Sequence, residues 1–142
     1  MAKIRIDDQL ELAYEESGTG RPIVFIHGVW MSARFFHKQG PALGQKHHAI
    51  ALDLRGHGGS SHTPDGHTMA TYASDVHAFL KAKDLRDAVL VGWSMGCMVV
   101  WDYFKQFGDE NIAQRYWSSK HRRISNGRTG SMDCSICPLS FT

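Results

Sequence analysis

The segment Leu90-Val91-Gly92-Trp93-Ser94-Met95-Gly96 constrains the fold of this chain more than any other. An apolar run enters a Gly-x-Ser-x-Gly turn, and a helix-like segment comes directly after it, as far as Phe107. A strand that ends in so sharp a turn leaves room only for small residues beside it, which Gly92 and Gly96 provide. The serine then sits at the tip, in a strained backbone conformation that directs its hydroxyl out of a sheet. The five-residue pattern is common by itself. Its placement between a strand and a helix makes Ser94 a candidate nucleophile.

Two upstream segments fit the same arrangement. Pro22-Ile23-Val24-Phe25-Ile26 reads as a buried parallel strand that His27-Gly28 ends. A loop there can bring the backbone N–H of Val29 near the serine, opposite the N–H of Met95, so that two donors meet where an oxyanion would form. Ala49-Ile50-Ala51-Leu52 is a second buried strand, running into Asp53-Leu54-Arg55-Gly56-His57-Gly58-Gly59-Ser60. Asp53 and Arg55 read as structural there, orienting the loop through hydrogen bonds.

The remaining pattern alternates strand and helix. Ile4 to Ile6 and Leu10 to Tyr14 predict an antiparallel pair around Asp7-Asp8. Ser32 to Gln39 predicts a short helix packed through Phe35 and Phe36. Thr68 to Lys83 predicts a helix whose Tyr72, Val76, Phe79 and Leu80 share a face, capped by Thr68 or Thr71. Ala88 to Val91 predicts the strand that feeds the turn. Met95 to Phe107 is apolar nearly all round, which predicts a core helix with Trp101, Tyr103, Phe104 and Phe107 packed beneath the sheet. His47-His48 reads as a solvated turn and His77 as a partly exposed helix residue. The alternation implies a parallel sheet with helices on both faces, and a site at the C-terminal strand ends.

His-Gly-Val-Trp, Asp-Leu-Arg-Gly-His-Gly-Gly-Ser and Gly-Trp-Ser-Met-Gly, in this order and spacing, resemble the N-terminal half of the α/β-hydrolase superfamily. Within it the chain is similar to small serine esterases of the non-haem haloperoxidase and arylesterase type, from Met1 to about Ala113. The resemblance implies an α/β-hydrolase fold, N-terminal part only, with a mostly parallel sheet truncated after the helix that follows Ser94. It implies Ser94 as nucleophile, the backbone of Met95 and Val29 as oxyanion hole, and a small acyl or ester substrate. Trp30 and Trp93 would line the pocket. No cofactor and no metal is implied. Cys97 replaces the glycine common in the family after the turn, and Trp30 stands where relatives active with peracids tend to carry proline.

A serine hydroxyl needs a histidine base and a carboxylate to orient that histidine. In this fold both follow the serine in the chain. After Ser94 come only Asp102, Asp109, Glu110, Asp133 and His121. Asp102 falls mid-helix, Asp109 and Glu110 fall at the far end of the sheet, and no strand is predicted to carry His121. The triad acid and base are therefore expected to be missing from this chain. The alternative to an ester hydrolase is an inactive truncated remnant with at most a binding role.

The chain divides in charge as well as in motif content. Residues 1–113 carry 11 Lys and Arg against 13 Asp and Glu, a balance of −2; residues 114–142 carry 5 against 1, a balance of +4. The expected organisation is a hydrolase part over 1–113 and a basic irregular tail over 114–142. Cys134-Ser-Ile-Cys137, a single pair, makes no convincing metal or redox site. The family places an apolar strand after Ala113, and Gln114-Arg115-Tyr116-Trp117 does not match it. Back-translation of these residues, read from the third base of the Gln114 codon, permits such a strand. A shifted reading frame and a divergent tail are the two explanations. A sheet ending after its central strand predicts an unpaired edge, a partly uncovered helix and poor stability. Met1 to Asp8 lacks the apolar core of a signal peptide, and no run is long enough to span a bilayer. The expectation is a cytoplasmic protein that binds neither membrane nor nucleic acid.

Overall fold

The computed structural model describes residues 1–119, 122 and 123. Seven strands form one sheet among these residues: β1 (Ala2–Arg5), β2 (Glu11–Ser17), β3 (Pro22–Ile26), β4 (His48–Leu52), β5 (Ala88–Trp93), β6 (Ile112–Ser119) and β7 (Arg122–Arg123). Their spatial order is β1-β2-β4-β3-β5-β6-β7. β3 pairs in parallel with β4 and β5, and β5 in parallel with β6. The pairs β1–β2, β2–β4 and β6–β7 are antiparallel.

Alternation along the strands explains both layers. Val24, Ile26, Ile50, Leu52 and Leu90 face one side, where helices α2 (Met69–Ala82) and α3 (Met95–Phe107) cover them together with Tyr72, Val76, Phe79, Val99 and Tyr103. Ile23, Phe25, Ala49, Ala51 and Val89 face the other side, under a 3₁₀ turn at Ala33–Phe36 and the short helix α1 (Gln39–Leu43). Side chains that alternate with a period of two thus give a sheet buried on both faces. The chain moves from β3 to β4 on one side and crosses to β5 on the other. Their C-terminal ends form the switch point at which open α/β sheets hold their ligands.

Most sequence-predicted elements occur within a few residues of their expected bounds. Thr68 caps α2, its hydroxyl accepting the Thr71 N–H at 3.1 Å. Two expectations need correction. The segment after Ala113 is not irregular from its start: Ile112–Ser119 is β6, with Leu90 opposite Arg115 and Val91 opposite Tyr116. The open edge of β5 accepts a strand through backbone hydrogen bonds, whatever its side chains. Arg115 is accommodated because its guanidinium lies 3.8 Å over the Phe104 ring and 3.3 Å from Asp109. The edge expected to be bare is therefore paired.

The second correction concerns α3, which is not apolar-buried all round. Met98 is 54% and Trp101 50% exposed, while Val99, Val100 and Tyr103 are buried. His77 is partly exposed, as expected, and its ring stacks on Phe107 with centroids 3.8 Å apart. Among the described residues no helix is long and apolar enough to cross a membrane.

Candidate active site

Ser94 occupies the junction of β5 and α3 with φ 53° and ψ −115°, outside the regions that L-residues favour. Its hydroxyl caps nothing, and the residue is exposed. The turn is possible because Gly96 lies flat against β3. A Cβ at Gly96 would collide with the Ile26 carbonyl oxygen. The Met95 N–H belongs to the first turn of α3, where backbone donors have no intrahelical acceptor.

The loop after β3 approaches the same point. A Cβ at Gly28 would lie 3.2 Å from Ser94 Cβ and 3.4 Å from Trp93 Cδ1, so a larger residue would press on the serine. Gly28 begins a turn in which its carbonyl accepts the Met31 N–H at 3.2 Å, with Val29 and Trp30 at the corner. Val29 is half exposed and Trp30 is 92% exposed with φ 60°. Trp93 is partly buried, its ring 5.3 Å from Phe35. Ser94, Met95, Val29 and Trp93 are thus brought together at the strand ends. Trp30 is adjacent but projects into solvent.

Asp53 and Arg55 take the structural roles expected of them. The Asp53 carboxylate, fully buried, accepts the Ala33 N–H at 2.6 Å and the Gly59 N–H at 2.8 Å. Ser60 donates to the Asp53 carbonyl and accepts the Ala13 N–H, which fastens the loop after β4 to β2. Arg55 reaches Asp75 on α2. Sequence reasoning passes over Asp75, although a carboxylate beside Val76 on the apolar face of a helix is the sign of a buried partner. It also passes over the pairing of His27, whose ring bridges Gly28 and Leu54.

No described histidine is hydrogen-bonded to the Ser94 hydroxyl. His37, His48, His57 and His67 are engaged with Arg34, Glu16, Arg55 and Thr63 respectively. Glu110 is held by Lys81 and His77 beyond the C-terminal end of α3, and Asp109 by Arg115. His121, Asp133, Cys134 and Cys137 lie outside the described residues. Among those described, no group of His, Cys, Asp and Glu is arranged to hold a metal ion.

The family described by the alpha/beta hydrolase fold matches residues 21–116. The chain belongs to the α/β-hydrolase family. A non-heme haloperoxidase of Rhodococcus erythropolis is 37% identical over 115 residues, covering 80% of this chain and 42% of that protein. The crystal structure of a bromoperoxidase from Bacillus anthracis superimposes with a TM-score of 0.77 at 36% identity, over 82% of this chain and 43% of that one. An esterase from Exiguobacterium antarcticum superimposes with a TM-score of 0.78 at 27% identity, over 82% and 44%. The chain therefore spans about two-fifths of the length of these relatives. Family and fold agree with the sequence-based expectation, and place the chain among hydrolases with esterase and haloperoxidase relatives.

Proposed function

We propose that this α/β hydrolase chain carries the nucleophile and oxyanion hole of a serine hydrolase acting on small carboxylic esters. The observation that carries the reading is the placement of Ser94, at φ 53° on the β5–α3 turn, in van der Waals reach of the loop that bears Val29. Ser94 Oγ attacks the ester carbonyl carbon, and the N–H groups of Met95 and Val29 stabilise the resulting oxyanion. Collapse of the tetrahedral intermediate breaks the C–O bond to the alcohol, which leaves with the proton taken from Ser94, and water then hydrolyses the acyl-enzyme. The base that carries that proton, and the carboxylate behind it, are assigned to none of the described residues. In this reading Trp30 and Trp93 meet an apolar part of the substrate.

The engagement of His37, His48, His57 and His67 with partners away from Ser94 favours a second reading, in which the chain is a non-catalytic hydrolase remnant. One experiment separates the two. A fluorophosphonate probe is expected to label the 142-residue chain at Ser94, and Ser94→Ala to abolish labelling. A folded chain that the probe leaves unlabelled supports the remnant.

A further inference from the structure

His27 is fully buried at the end of β3, two residues before Val29. Its ring nitrogens meet groups of opposite character. Nε2 lies 3.1 Å from the Leu54 backbone N, which can only donate. Nδ1 lies 2.7 Å from the Gly28 carbonyl oxygen, which can only accept. One proton arrangement satisfies both: hydrogen on Nδ1 and a bare lone pair on Nε2. The ring is therefore required neutral, in a single tautomer. The carbonyl it grips is the one that closes the Gly28–Met31 turn. Farther along the loop, Asp53 takes the Ala33 N–H and anchors it to the residues that follow β4.

We propose that His27 is a positioning residue: its neutral, Nδ1-protonated ring clamps the Gly28–Met31 turn to Leu54 and holds the Val29 N–H in its oxyanion-binding place. The inference rests on the reading of Ser94 and Val29 given above. A second proton, on Nε2, would set an N–H against the Leu54 N–H. Two donors cannot share that contact, so the turn and the loop after β4 must separate. The groups facing the ring are His57, 4.9 Å away between centroids, and Asp53. Burial pushes the His27 ring below the ordinary histidine value of 6.5, against a smaller upward pull from the Gly28 hydrogen bond. His57 lowers it further, and Asp53 raises it. The clamp thus holds at neutral pH and fails on acidification. A histidine that only filled space would link neither Val29 nor Leu54 to its own titration.

Nitrogen NMR of the isotopically labelled 142-residue chain tests this. The His27 ring is expected to show the Nδ1–H tautomer at neutral pH. Its protonation, at a pH below the ordinary histidine value, should shift the Val29 and Met31 amide signals and expose the Leu54 amide to exchange, all with one midpoint. His27→Gln, which can still accept from Leu54 but does not titrate, should remove that pH dependence from Val29. In the same variant the limiting rate of fluorophosphonate labelling should fall by roughly 10- to 100-fold, with the half-saturating probe concentration unchanged. An Nε2–H tautomer, or a Val29 amide indifferent to the His27 titration, overturns the clamp. Should wild-type Ser94 resist the probe altogether, the hydrolase reading falls, while the ring and amide titrations still decide the clamp.

Discussion

Arg55 grips Asp75 with two parallel hydrogen bonds, Nε to Oδ2 at 2.6 Å and Nη2 to Oδ1 at 2.8 Å. The pair joins the loop after β4 to α2, and it is nearly out of solvent, with side chains 14% and 6% exposed. This geometry explains how a glycine-rich loop, Gly56 to Gly59, can present a fixed surface beside the candidate site. Burial holds the Asp75 carboxyl above the ordinary aspartate range, more than Arg55 lowers it. The hydrogen bonds that Arg55 donates to Asp75 in turn raise the guanidinium.

Removing one partner leaves the other charged and unsolvated. Arg55→Ala or Asp75→Ala alone is expected to cost about 3 kcal/mol in chemical denaturation, whereas Arg55→Met with Asp75→Leu should recover most of that loss. The sign of the Asp75 shift adds a check. A carboxyl raised on folding binds its proton more readily in the native state, so its contribution to stability grows as pH falls through the raised value. Asp75→Asn should therefore leave acid unfolding no worse.

Backbone strain at Ser94 makes a separate prediction. A residue at φ 53°, ψ −115° costs on the order of 1 kcal/mol or more that glycine avoids. Ser94→Gly is expected to raise unfolding free energy by about 1 kcal/mol, and Ser94→Ala to leave it near wild type, since alanine keeps the strain. Gly96→Ala should lower it by about 2–3 kcal/mol, because the new methyl meets the Ile26 carbonyl. Equal stability of all three variants would mean that the turn is relaxed.

A cluster far from Ser94 sets a pH response. Burial alone would raise the Glu16 carboxyl, but hydrogen bonds from Lys83 at 2.9 Å and His48 at 2.7 Å outweigh it and hold it below its ordinary 4.5. That stabilisation is complete above pH 4.5 and is lost as pH falls through the lower folded value. Lys83, although burial lowers it, is held above 10.5 by Glu16 and Tyr14, so its contribution persists below pH 10.5 and is lost as pH climbs through the higher folded value. The cluster is partly solvated, which limits each effect to about 1 kcal/mol or less. Lys83→Met should flatten both limbs of a stability–pH curve measured by thermal unfolding. A variant that keeps the alkaline limb would show that another base produces it.

The legible parts of the chain are those whose burial is symmetric. β3, β4 and β5 are covered on both faces, so each is an uninterrupted apolar run, and the Gly-x-Ser-x-Gly turn fixes where α3 begins. Elements decided by long-range partners are less readable. α1 contains Gly40 and Pro41 and shows no helical pattern; its five residues are a turn closed against the sheet. β6 forms because β5 offers a free edge, a fact absent from Gln114 and Arg115 themselves. Trp101 reads as core because α3 is apolar on nearly every side, but a helix laid on a sheet buries only one stripe. Val99, Val100 and Tyr103 occupy that stripe, and Trp101 does not. At the site, Ser94, Met95 and Val29 follow from local motifs. The His27 clamp does not, because the N–H it accepts lies 27 residues away.

Trp30 joins two costs in one residue. It holds φ 60° at the third position of the Gly28–Met31 turn, where glycine or asparagine is favoured, and it is 92% exposed. Within the described residues neither the strain nor the exposure brings any packing. On the proposed reading this ring gains its contact against substrate, and the residue is expected to trade stability for binding. Trp30→Gly and Trp30→Asn should each raise unfolding free energy by up to about 1 kcal/mol. Both should also slow Ser94 labelling by an aryl-bearing fluorophosphonate roughly 3- to 10-fold more than labelling by a short alkyl one, the scale of one aromatic contact. An equal loss with both probes would show that Trp30 acts through the turn geometry, and a fall in stability would show that its ring packs against protein.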